Sequence, residues 1–304
     1  MIFSYIHRFF SLSKLYIKTK FSRYPHTGKI ALCCIAKMEN DYIRFFVEYY
    51  RALHFDTIFI YDNNDPDGEC FEDVIGDYIS SGFVKIIDYR GKKQVQLMAY
   101  QNCYDTYNKQ YDWIAFFDCD EFLTFADGTA DVHVFFSRKE FCHYHVMHIN
   151  WKVYGDNDLL DNDGRNVVER FKDPVMPLDI KSPGNSVPEN NHVKSIVRGG
   201  LAAVQWVNVH TPYCKFCHCC DPQGHPIDMN SPFNNFDYTI VYLRHYSTKT
   251  VGEWIKNKMK RGIPDRSEDN WKNILNLDFF FRFNKKTKEK IEYAEKLLKL
   301  NRNE

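Results

Sequence analysis

The sequence predicts an α/β domain built on a mostly parallel sheet flanked by helices. Short apolar runs alternate with helix-periodic stretches from residue 30 to residue 120, joined by short polar connections. The runs are apolar at nearly every position, the pattern of strands covered on both faces. Two of them close on polar clusters, Asp62-Asn63-Asn64 and Asp118-Cys119-Asp120. In parallel sheets, ligands bind beyond the carboxyl ends of the strands.

Residues 30–37 (IALCCIAK) read as the first buried strand, and Asn40 and Asp41 offer helix-capping side chains just after it. Ile43, Phe46, Val47, Tyr50 and Leu53 then recur on a helical period, predicting a helix over 42–53. Residues 57–61 form a second strand that ends in the loop signal DNNDPDG. The spacing predicts helices over 71–79 and 94–107, with strands over 84–88 and 113–117. Such units close by right-handed crossovers.

Past residue 125 the rhythm changes. Residues 143–153 read as a strand, 157–164 as a polar loop, and 194–197 and 204–209 as short strands. Residues 211–236, rich in Pro, Cys, Asn and Gly, read as a long loop. A strand-like stretch at 238–246 precedes helices at 251–261 and 286–300. No internal repeat or low-complexity linker divides the chain. The predicted organisation is a basic segment over 1–28, one domain over 29–262 with halves 29–125 and 126–262, and a helical extension over 263–304.

With 304 residues, 44% of them hydrophobic, the chain can pack one large core. Its 40 basic and 40 acidic side chains balance, which argues against a dedicated nucleic-acid binder. The charge is uneven, since no acidic residue precedes Glu39. Residues 1–22 combine basic side chains with apolar residues at roughly helical spacing, broken at His7 and Arg8. That run is too short to span a bilayer. It reads either as a basic amphipathic helix on an anionic membrane face or as a terminal helix packed on the domain. Without a clean secretory leader, the expected location is the cytoplasm, at the membrane's cytoplasmic face, with thiols reduced.

The sharpest chemical signal is Asp118-x-Asp120 after the run Trp-Ile-Ala-Phe-Phe. Two carboxylates one residue apart, just past a strand, can turn toward one hard cation such as manganese or magnesium, which would bridge a nucleotide's diphosphate. The bland alternative is an acidic pair in a solvated loop. Asp62, Asn63 and Asn64 can hydrogen-bond a base edge or ribose hydroxyls, or can simply form a β-turn. His245 is a good ligand type for manganese, or a structural histidine beside Tyr246.

Residues 30–50 (IALCCIAKMENDYIRFFVEYY), 58–64 (IFIYDNN), 96–100 and 113–123 (WIAFFDCDEFL) resemble the family 2 and family 92 type glycosyltransferases. The likeness continues more loosely to about residue 262 through 151–155, 169–171, 209–210 and 244–246. It implies a GT-A fold, a nucleotide-sugar donor carrying uridine diphosphate, a divalent metal and inversion at the anomeric carbon. It places Glu39, Asp62, Asn64 and Gln96 near the nucleotide and Asp118 and Asp120 at the metal, with His245 as the histidine that completes the site. Met38 departs from the family, which usually has asparagine there.

Inversion needs a general base to take the acceptor hydroxyl's proton. Glu169 and Asp156 are the candidates, with Asp158 behind them. The run Cys214-x-x-Cys217-His218-Cys219-Cys220 has the residue types of a zinc site. Its spacing is poor for wrapping one ion, and a cysteine-rich loop over the site is the default. A nucleotidyltransferase would carry a Gly-rich loop after the first strand, where this chain reads AKMEN. A non-catalytic carbohydrate-binding module would have little use for an intact Asp118 and Asp120. The expected partners are therefore a nucleotide sugar and a glycan or lipid-linked acceptor.

Overall fold

The computed structural model describes residues 12–14, 24–181 and 186–300. Most of the amphipathic segment expected over 1–22 lies outside the described residues. Among those residues, no helix is long and apolar enough to cross a membrane.

Strands β1 (Ile30–Ala36), β2 (Thr57–Asp62), β3 (Val84–Asp88) and β4 (Trp113–Phe116) run parallel in the order β3-β2-β1-β4. The helices Asn40–Ala52, Glu72–Ser80 and Gln96–Tyr107 connect them, as the alternation predicts. The continuous apolar run of β1 has its reason here. Ile30, Leu32, Cys34 and Ala36 enter one core with the helix Asn40–Ala52. Ala31, Cys33 and Ile35 enter the other, with the helix Gln96–Tyr107. Neither face meets water.

β5 (Glu121–Phe125) follows β4 directly. The sequence pattern missed it because a charged residue opens it, and Glu121 is fully buried. The sheet extends past β4 through β7 (Val193–Arg198), antiparallel to both β4 and β6 (Val146–Val153). β8 (Val204–Trp206) and β9 (Pro212–Cys214) form a separate hairpin. The two-residue strands β10 (Cys219–Cys220) and β11 (Pro226–Ile227) close the edge beyond β6. β12 (Val241–His245) lies antiparallel to β5 and parallel to β6. The expected helix over 251–261 forms with a π-helical turn at Trp254–Lys258. Helices Glu268–Ile274 and Leu277–Phe283 appear where only an extension was expected, before Lys288–Leu300.

The expectation of fully reduced thiols is corrected at one place: Cys214 and Cys217 are disulfide-bonded. Cys33, Cys34, Cys103 and Cys119 are free and buried. Cys219 and Cys220 enter opposite cores, because successive residues of a strand face opposite ways.

Tyr50 ties the helix Asn40–Ala52 to β5. Its hydroxyl donates to the Glu121 carbonyl at 2.7 Å and accepts from the Leu123 N–H at 3.1 Å, fully buried. Tyr50→Phe strands both backbone groups, so urea unfolding should show a loss of about 1–3 kcal/mol. An unchanged midpoint would mean that water or a shift of β5 satisfies them.

Candidate active site

A cavity of about 1120 Å³ opens at the carboxyl ends of β1 and β4, the edge where both polar clusters emerge. After β4 the chain turns sharply. The Glu121 N–H donates to the Asp118 carbonyl at 3.0 Å, and the Glu121 carboxylate accepts from the Asp118 N–H at 2.9 Å. Asp118, Cys119 and Asp120 all line the cavity.

Three donors hold the Asp118 carboxylate. Gln96 Nε2 and the Tyr100 hydroxyl reach Oδ1 at 2.8 and 2.9 Å, and Lys194 Nζ reaches Oδ2 at 2.7 Å. Lys194 also stands 3.7 Å from Glu121 Oε1. Burial alone would push the Lys194 ammonium down, but Asp118 and Glu121 outweigh it and raise it. A lysine is buried only when paired, so its place in an apolar strand was a readable signal.

Asp120 is 4% exposed and meets Lys258 Nζ at 3.2 Å and His245 Nε2 at 3.8 Å. Burial alone would raise its carboxyl. Positive charges, Lys258 first, outweigh that and hold it well below the usual carboxylate range. Burial pushes His245 down to about 4 despite Asp120, so at neutral pH it is an uncharged imidazole. Asp120 then owes its ionisation to Lys258, Arg261 and Lys249. His245 Nδ1 is buried without a partner, and its ring lies 4.0 Å from that of Trp151.

Glu39 is ion-paired with Arg261 and, at 3.4 Å, with Lys249. Met38 before it has φ 53°, a left-handed conformation that asparagine adopts far more readily than methionine. That accounts for the asparagine the resembling enzymes carry there. The π-helical turn ends at Lys258 and places it over Asp120 while Arg261 reaches Glu39. Such turns recur at functional sites. The chain between Gly262 and Asn276 supplies much of the cavity's other wall.

Of the residues expected at the nucleotide, Glu39, Asn63, Gln96 and Asp118 line the cavity. Asp62 and Asn64 stand behind it. Asp62 is ion-paired with Arg90 at 2.7 Å, and Asn64 Oδ1 accepts from the Met38 N–H at 2.8 Å. Glu169 lies outside the cavity, in the turn capped by Asn166. Asp156 is buried against Lys290 at 2.7 Å, also outside it. Lys194, Trp151, Lys258, Arg261 and His192 join the site with no signal read for them in the sequence, and so does His210, which had offered a ligand type like His245 or a structural histidine. Among the described residues no group of three or more His, Cys, Asp or Glu side chains stands ready to hold a metal ion. Asp118, Asp120 and His245 thus form no closed ligand set, and the cysteine run forms none either.

Carboxylates at the carboxyl end of a parallel sheet, paired with cations along one cavity, fit a group-transfer enzyme acting on a phosphate-bearing substrate. Residues 29–276 match the model of glycosyltransferase family 92, and the chain belongs to that family. No curated protein matches its sequence. Three crystal structures of S. aureus TarS are similar in shape. The complex of residues 1–349 with UDP has TM-score 0.33 and 12% identity over 56% of this chain and 46% of that one, less than two thirds of its length. Residues 1–349 alone give 0.40 and 11% over 84% and 71%. Their complex with UDP-GlcNAc gives 0.36 and 12% over 89% and 79%.

Proposed function

We propose that the protein transfers a sugar, with inversion, from a uridine diphosphate sugar to a glycan or lipid-linked acceptor, assisted by manganese or magnesium. The observation that carries this reading is that Asp118, Asp120 and His245 all line one cavity, with His245 Nε2 3.8 Å from Asp120 Oδ1. Asp120 Oδ1 faces Nε2 of an uncharged imidazole. That pair fits a hard cation whose remaining ligands are water and phosphate oxygens, the usual arrangement for magnesium at a nucleotide. When bound, such an ion would neutralise charge on the leaving diphosphate.

The chain's own residues supply the rest. Lys258 and Arg261, now paired with Asp120 and Glu39, are positioned to turn toward diphosphate oxygens. Lys92 and Lys93 line the same cavity. Lys194, Gln96 and Tyr100 keep Asp118 oriented before substrate arrives, and preorganised charge of this kind is a large part of most catalysis. The basic, apolar character of residues 1–22 favours an acceptor held at a membrane surface.

The purified chain, given a panel of nucleotide sugars with manganese, should release nucleoside diphosphate from one uridine diphosphate sugar and not in the presence of chelator. Release that ignores chelator would remove the metal. No release from any donor, together with no manganese-dependent uridine diphosphate binding by calorimetry, would overturn the transferase reading of this site.

A further inference from the structure

We propose that His192 is the general base that accepts the acceptor hydroxyl's proton, an assignment that rests on the inverting transfer proposed above. His192 lines the cavity just before β7. Its Nδ1 lies 3.0 Å from the Glu189 carbonyl oxygen. A carbonyl only accepts, so Nδ1 carries the proton and Nε2 keeps its lone pair in the neutral ring. Among the described residues no side chain or backbone group is bonded to Nε2. The Glu189 carboxylate stands 3.6 Å from the same Nδ1, where it would stabilise the imidazolium once the proton has arrived. A base hydrogen-bonded to a fixed orienting group is the arrangement that proton abstraction requires.

The ring is also held in place. It stacks on Trp151 at 4.9 Å and 22°, and meets Phe233 edge-on at 4.7 Å. The Trp151 backbone N–H donates to the His192 carbonyl at 2.9 Å on the β7 side, while β12, carrying His245, pairs with β6 on its other side. The indole of Trp151 therefore separates His192 from the His245–Asp120 pair. An inverting displacement needs that layout, with the base on one side of the sugar and the leaving diphosphate on the other. In the step, the acceptor oxygen bonds the anomeric carbon as the bond from that carbon to the diphosphate oxygen breaks. The bonding pair leaves with the diphosphate, and the hydroxyl proton moves to His192 Nε2.

Other titratable groups line the cavity, His210 and Asp265 among them. His210, 5.3 Å from His192 ring to ring, also has its Nδ1 on a carbonyl, that of Val193. Burial first, then the Lys194 charge, press it far below the usual imidazole range, which makes it a weak base. Asp265 lines the cavity too, and burial raises its carboxyl while the Arg266 charge works against the rise.

The test uses the full chain and the uridine diphosphate sugar found by the panel, with water as the acceptor. His192→Ala should cut hydrolysis about 10²–10⁴-fold while manganese-dependent uridine diphosphate binding is unchanged. Added imidazole should restore part of the rate to His192→Ala but not to His192→Gln. A His192→Ala enzyme as fast as the wild type overturns the proposal, and loss in Asp265→Asn alone would move the base to Asp265. If no donor turns over while uridine diphosphate still binds, nitrogen-15 NMR of the imidazoles, assigned against His192→Gln, decides separately. A ring protonated on Nδ1 supports the assignment, and one protonated on Nε2 at neutral pH sinks it.

Discussion

Asp120→Asn should lower metal-dependent donor turnover by about 10²–10³-fold, the range seen when one preorganised electrostatic contact to developing charge is lost. The substitution keeps the shape of the side chain and removes its formal charge. Two effects add. The proposed cation site keeps Asp118 and an uncharged imidazole, because His245 is neutral at working pH. Lys258 also loses its ion-pair partner, and Arg261 and Lys249, which stay paired with Glu39, lose a nearby negative charge. Lys258 is about a quarter exposed and can turn to water, so the fold should survive. Circular dichroism and nucleoside diphosphate release, measured side by side, check the result. A variant that folds normally and turns over donor at the wild-type rate would place the metal or the chemistry elsewhere.

Glu253→Gln is the substitution expected to cost most in stability. Arg170 forms a forked pair with Glu253, both contacts at 2.8 Å, with both side chains buried. The Tyr42 hydroxyl donates to the same carboxylate at 2.5 Å. Thr250 Oγ1 donates to it at 2.6 Å and closes a capping box at the start of the helix that runs on to Lys258 and Arg261. The amide leaves Arg170 as a buried cation with only the more distant Asp163, 4.0 Å away, as counter-charge, a change that costs up to about 3–5 kcal/mol. Urea unfolding reads it directly, and a loss below about 1 kcal/mol would mean that Arg170 escapes to solvent.

The pH dependence of this pair has a definite sign. Burial alone would raise the Glu253 carboxyl, but Arg170 and Lys249 outweigh it and lower it below its ordinary 4.5. Its contribution is therefore complete above that value and is lost as pH falls through the folded value. The variant should lose stability less steeply in acid. Because the same helix carries Lys258 and Arg261, it should also bind uridine diphosphate more weakly.

The sequence by itself determined the parallel half of this protein. Strands β1, β2 and β4 are buried on both faces, so their apolar runs are unbroken, and each helix between them shows its own period. Both signals are local, and they end where the chain turns polar, at Asp62 and Asp118. That is why the cavity edge and the pair Asp118 and Asp120 were legible without coordinates. The strand that opens with Glu121 was not, because a buried carboxylate there is stabilised by Lys194 and Trp151, both distant in sequence. The rest of the site was decided by tertiary structure alone. Trp151, His192, His210 and His245 come from separate strands and loops, and only the β7-β6-β12 order brings their rings together. Glu169 and Asp156 looked like bases from their place in the chain, yet neither lines the cavity. A carboxylate's chemistry depends on what it faces, and what it faces is set by contacts between residues far apart in sequence.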